Sequence, residues 1–141
     1  MNMRIRCYTI AEPSTAMYSP SAMVDFDGGT LTLRYDYYRY RDDQLVGIFR
    51  SGLRFQEVRA HRHRAESHCT AWHLNGAYDT LVEIEDSEWV ADLKAISQGR
   101  YKVNWEMHHY MIYLDSAGCY EVVAKSWEVL PEEEGAWDRT I

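Results

Sequence analysis

Four of the six histidines fall within thirteen residues: His61, His63, His68 and His73, with Glu66 and Cys69 among them. On an extended strand His61 and His63 project from the same face, about 7 Å apart. Imidazole nitrogens so placed could ligate one metal ion, with His68 as a further donor. Arg62 and Arg64 interleave with them and place positive charge beside the pair, which favours a solvated His/Arg face over a metal. A second group, Glu106, His108 and His109, precedes Asp115. His108 and His109 point to opposite faces of a strand, so one of them at most joins any site. A dyad of His109 with Cys119 or Ser116 is conceivable across a hairpin, but no nucleophile-elbow sequence accompanies it. The residues therefore assign neither a catalytic group nor a metal or cofactor.

The His-x-His pair followed by Glu66 resembles the metal-binding motif of cupins, small β-barrel proteins. The second cupin motif, with its Pro-x-Gly and later His, is absent. The resemblance implies, as an alternative function, a metal- or small-ligand-binding barrel that uses His61, His63 and His68.

A third constellation is Tyr35-Asp36-Tyr37-Tyr38-Arg39-Tyr40-Arg41. Aromatic and Arg side chains on a sheet can stack nucleic-acid bases, and Tyr38 and Tyr40 with Arg34 and Arg39 would form that face. No RNP-like sequence accompanies them, so an aromatic ladder that stabilises a sheet is the expected role. Phosphate-cradling glycine motifs are missing as well. Glu83, Glu85, Asp86 and Glu88 read as a solvated cluster capping a helix. Of the five tryptophans, Trp137 stands apart in a polar stretch, where it would dock back on the domain or anchor a partner.

These residues must be positioned mainly by strands. Arg4–Ile10 and Met23–Phe26 are strand candidates, and Asp27-Gly28-Gly29 is a hairpin turn. Thr30–Arg41 carries the clearest period of two, with Leu31, Leu33, Tyr35 and Tyr37 on one face. Asp42-Asp43-Gln44 turns the chain into Leu45–Phe49, and Ser51-Gly52 turns it again into Leu53–Arg64, giving an antiparallel meander. Thr70–Asn75 reads as a short strand ending in a second hairpin signal, and Tyr78–Ile84 as another strand. Ser87 begins a helix whose stripe is Val90, Ala91, Leu93 and Ile96, with Gly99 as its left-handed stop. Met107–Leu114 and Cys119–Leu130 form a last hairpin around Asp115–Gly118. The expected class is α+β but mostly β: a curled or barrel-like antiparallel sheet with one covering helix.

Length and charge set the outer bounds. The 141 residues, 46% apolar and 26% charged, are expected to form one domain over 1–141 with a loosely held tail from about residue 131. Cys7, Cys69 and Cys119 are odd in number and widely spaced, and no apolar run nears the ~20 residues of a membrane span. The start of the chain has no signal-peptide pattern, so a cytoplasmic location without membrane association is expected. The net charge of -7 is unevenly spread. Residues 28–64 hold eight Arg against four acids, whereas residues 65–141 hold fifteen acids against five bases. Arg of the middle segment is expected to pair with acids of the second half, and the overall acidity disfavours a nucleic-acid partner.

The segment from His109 to Trp127 resembles the final hairpin of small bacterial domains, some of them similar to immunity proteins of polymorphic toxin systems. The resemblance implies a cytosolic interaction protein without catalytic residues, which occupies a toxin's active site with an acidic face. A protein partner is thus expected, and exposed strand edges would also allow a homodimer.

Overall fold

In the computed structural model, residues 3–10, 17–97 and 106–138 are described. Among them ten strands, β1 (Arg4–Thr9), β2 (Met23–Asp27), β3 (Thr30–Arg41), β4 (Gln44–Gln56), β5 (Ala60–Arg64), β6 (Thr80–Ile84), β7 (His108–Leu114), β8 (Gly118–Ala124), β9 (Ser126–Val129) and β10 (Glu133–Glu134), form two antiparallel sheets. The first has the order β1-β6-β7-β8-β5. The second has the order β10-β4-β3-β2, with β9 also paired to β4. The fold is mostly β, as expected, but the strands make two open sheets instead of closing into a barrel.

Period-two patterning explains the packing between them. Leu31, Leu33, Tyr35 and Tyr37 of β3, with Leu53 and Phe55 of β4, meet Tyr110, Ile112 and Leu114 of β7 and Tyr120 and Val122 of β8. The opposite face of the first sheet is also buried. Met111, Tyr113 and Cys119 pack there with Val82 and Ile84, against Cys69 and Leu74. That outer layer contains a 3-10 turn at Glu66–His68, the short helix α1 (Ala71–Leu74) and α2 (Glu88–Ser97). With both faces covered, β7 and β8 are buried almost throughout.

Three expected boundaries move. Ser51-Gly52 does not turn the chain: β4 runs unbroken through it, pairing with β3 from Gln44 to Phe55. Gly52 serves close approach, since a Cβ there would lie 2.5 Å from the Leu33 carbonyl oxygen and 2.8 Å from Leu130 Cδ1. The chain turns at Glu57, with φ +52°, and β5 joins the other sheet, so the meander ends with the β3–β4 hairpin. Residues 71–74 are helical because His73 Nδ1 accepts the Thr70 N–H at 2.9 Å, a local cap that hydrophobic periodicity does not register. The last hairpin strand breaks at Lys125, whose N–H reaches the Gln56 carbonyl at 3.0 Å as the chain passes from the first sheet to the second. The helix starts where expected, with the Val90 N–H donating to Ser87 Oγ at 3.2 Å. Its expected stop at Gly99 lies outside the described residues.

The stretch from residue 131, for which a loose tail was expected, makes specific contacts. The Trp137 indole N–H is shared between the Tyr35 and Ser51 carbonyls at 2.9 Å, and its ring sits under the Arg34 and Arg50 guanidinium groups. Glu132 accepts from Tyr37 and, bidentately, from Arg39. The charge asymmetry resolves in the same way: Arg39 pairs with Glu132, Arg50 with Glu133, Arg54 with Glu128 and Arg62 with Glu121.

Asp79 is a strained point of this scaffold. It is buried with φ +51°, and neither carboxylate oxygen has a hydrogen-bond partner among the described residues. Burial, reinforced by the nearby charge of Asp115, raises its pKa from 3.8 to about 7. A raised folded-state value means that ionisation opposes folding. The penalty is absent below the ordinary value, grows from there to about 7, and is complete above. Asp79→Asn, which also tolerates the left-handed backbone, is expected to stabilise the protein by about 1–3 kcal/mol at pH 8 and not at pH 4. Urea denaturation at the two pH values checks this, and an equal gain at both would refute it.

Candidate functional site

The register of β5 on β8 sets His61 opposite Val122 and His63 opposite Tyr120, so both imidazoles turn toward the space between the sheets. There they line a cleft of about 500 Å³ whose walls include Val24, Leu31, Leu33 and Val122. The His63 ring stacks on Tyr120 at 4.4 Å, and its Nε2–H donates to the Ala117 carbonyl at 2.6 Å. His61 stacks at 5.1 Å on Phe26 of β2, joining the edges of the two sheets at the cleft mouth.

The other members of the histidine cluster lie elsewhere. His68 is exposed in the 3-10 turn, with Nδ1 3.0 Å from Ser67 Oγ. His73 is buried as part of the α1 cap, and burial lowers its pKa. Cys69 packs in the outer layer, its Sγ directed at the Arg64 and Ala65 carbonyls. The two-residue spacing thus brings His61 and His63 together, but the helical turn after β5 carries the remaining candidates away. Among the described residues no group of three or more His, Cys, Asp or Glu is placed to hold a metal ion.

On the opposite face of the same sheet lies a continuous polar chain. His109 Nε2 is 2.8 Å from Glu121 Oε1, and His109 Nδ1 is 2.8 Å from Ser87 Oγ. Arg62 grips the same carboxylate with Nε at 2.8 Å and Nη2 at 2.9 Å, while its guanidinium lies 4.0 Å over the Trp89 ring. Ser87, His109 and Glu121 are all buried. Burial alone would raise the Glu121 pKa, but hydrogen bonds from His109 and Arg62 outweigh it and hold the carboxyl down at about 2. A ring proton on Nε2, donated to the Glu121 carboxylate, would leave Nδ1 to accept from the Ser87 hydroxyl.

Comparison with family models, with curated proteins and with solved structures finds no match. The chemistry of both faces therefore rests on the side chains themselves.

His109 is not paired with either partner considered from sequence. On β7 it lies opposite Val123, whereas Cys119 lies opposite Tyr113 near the other end of the hairpin. Cys119 is fully buried, and burial raises its thiol pKa further from the reactive range. Ser116 sits exposed in the turn. His108 does point to the other face, where Nδ1 contacts Glu83 Oε2 at 2.8 Å. The proposed base-stacking face is occupied from within: Arg39 is held by Glu132, Arg34 lies over Trp137, and Tyr38 contacts Tyr18 and Tyr40. No described helix is long and apolar enough to cross a membrane.

Proposed function

We propose that the protein is a binding domain for a small amphipathic molecule held in the cleft between its two sheets. The observation that carries this reading is the cleft itself: about 500 Å³, walled by Leu31, Leu33 and Val122, with His61 and His63 among the polar residues that line it. Ligand sites are concave, largely apolar and about 300–1,000 Å³, with a few polar groups that fix orientation. An alkyl or aryl body fits the walls, and an anionic head can accept a hydrogen bond from the His61 imidazole.

Calorimetric titration with dodecanoate tests the proposal. Binding is expected with a negative heat-capacity change, because apolar surface is buried. Val24→Glu sets a like charge at a wall position that is 45% exposed and outside the core. It is expected to weaken binding at least about tenfold, by like-charge repulsion and loss of apolar contact. Absence of binding by the native protein, or equal affinity of the variant, refutes the cleft as the site. That outcome would favour the protein-contact reading, an immunity-type function using the exposed acids Asp86, Glu88 and Asp92 near the start of α2.

A further inference from the structure

We infer that Ser87, His109 and Glu121 form a second site, a nucleophile, its general base and a positioning carboxylate for hydrolysis of uncharged carboxylic esters. Its hydroxyl and imidazole open on other clefts than the ligand cleft, with which it shares only Arg62 and Glu121 along β5 and β8. Three lines of geometry converge on it.

The chain of contacts has the polarity that acyl transfer requires. Glu121 accepts from His109 Nε2 at 2.8 Å, and Nδ1 then faces the Ser87 hydroxyl at 2.8 Å with a free lone pair. Which ring nitrogen faces which partner is immaterial, provided one is protonated toward the carboxylate and the other is a base toward the hydroxyl. Arg62 fixes the carboxylate bidentately, and the Trp89 and His109 rings meet edge to face with centroids 5.1 Å apart, so the imidazole is held on two sides.

Ser87 also stands immediately before α2. The first amides of a helix lack intrahelical acceptors, and the Val90 N–H already donates to Ser87 Oγ at 3.2 Å, so the positive end of α2 faces the hydroxyl where an oxyanion would develop. Ser87 and His109 reach two surface clefts, each of about 400 Å³, on either side of the helix start. One is lined by Trp72 and Trp89 and suits an aromatic or alkyl substituent, and Glu88 and Asp92 at its rim disfavour anionic substrates.

The step balances with water alone. Ser87 Oγ bonds to the ester carbonyl carbon as its proton passes to His109 Nδ1. Collapse breaks the carbon–oxygen bond of the leaving group, which departs as the alcohol with that proton. Water then attacks the acyl-serine, again through His109, and releases the carboxylic acid and free Ser87.

The test begins with the native full-length chain, so that its outcome does not depend on a variant folding. Treatment with a fluorophosphonate is expected to add one adduct, mapped by peptide mass to Ser87, and p-nitrophenyl acetate is expected to be hydrolysed. Ser87→Ala and His109→Gln should each lower turnover at least about 100-fold. Their far-UV circular dichroism and melting curves establish that they are folded. Glu121→Gln lets the amide donate to Nε2, which turns the His109 proton toward Ser87. It should therefore lower kcat with little change in KM and alter the pH–rate profile, which a purely structural carboxylate would not do. No adduct, or an adduct on another serine such as Ser116 with Ser87 unmodified, overturns the inference.

Discussion

Glu121→Ala is expected to lower the stability of the protein by about 3–5 kcal/mol at pH 7. The carboxylate is buried at 3% exposure and is the common partner of His109 and Arg62. Removing it leaves His109 without an acceptor and Arg62 without its counter-charge, beneath Trp89 and beside the start of α2. Arg62 is half exposed and rehydrates in part, so the loss falls chiefly on buried His109, which is left without its partner, and on the cavity at Glu121. Chemical denaturation measures the loss, which corresponds to a melting temperature about 10 °C or more lower. Adding Arg62→Met to Glu121→Ala should cost less than the sum of the single changes, because the two groups share one interaction. The pH dependence has a defined sign. The folded carboxyl is held down at about 2, below its ordinary 4.5. Its contribution is therefore complete above the ordinary value and is lost as pH falls from there toward about 2. The native protein should lose its advantage over Glu121→Ala in that window alone. A loss below about 1 kcal/mol at pH 7, the level of an exposed pair, would show that the network is not what holds α2 to the sheet.

Gly118→Ala should be comparably damaging, for a steric reason. Gly118 opens β8 with φ +101°, and a Cβ there would overlap the Arg64 carbonyl oxygen while lying 3.0 Å from the Glu66 nitrogen and 3.1 Å from the Ala65 carbonyl carbon. All three neighbours are backbone atoms and cannot rotate aside, so either the β7–β8 turn or the end of β5 must move. A loss of about 3–4 kcal/mol is expected, combining backbone strain with overpacking. The movement should also disturb the hydrogen bond between His63 and Ala117, and with it the ligand cleft. Gly28→Ala is the matched control. Gly28 has φ +59° in the β2–β3 turn, with nothing among the described residues within 4 Å of a new Cβ, so strain alone should cost it about 1 kcal/mol. Equal losses for the two variants would refute the close-approach explanation.

Sequence patterning reveals elements whose signals are local. The alternation of Leu31, Leu33, Tyr35 and Tyr37 defines β3 and its buried face, and Ser87 marks the start of α2 by its capping chemistry. The Arg-to-Glu pairing was legible as a charge imbalance between segments, though individual partners were not, because Arg39 and Glu132 are 93 residues apart. Gly52 misleads since a glycine required by a neighbouring backbone looks, in sequence, like one required by a turn. The two faces of β5 were half-visible. His61 and His63 share a face by spacing, but that they look into a cleft depends on β2 and Phe26 arriving opposite. The Ser87–His109–Glu121 chain was hidden because each member has a routine local role, and the sheet register brings them together. The one available clue was Glu121, an acid alternating with Tyr120 and Val122 inside an otherwise apolar strand, which must find a partner once buried.

Four of the outer strands carry their charges by sheet. In the first sheet, edge strand β1 bears Arg4 and Arg6, and edge strand β5 bears Arg62 and Arg64. In the second, β2 bears Asp25 and Asp27, and β10 consists of Glu133 and Glu134. Two copies that met symmetrically, edge to identical edge, would align like charges across the new ladder and repel. Attraction is reserved for a basic rim meeting an acidic one, a head-to-tail contact that does not close on itself. The same charges that the fold uses internally thus discourage symmetric pairing through its own strands.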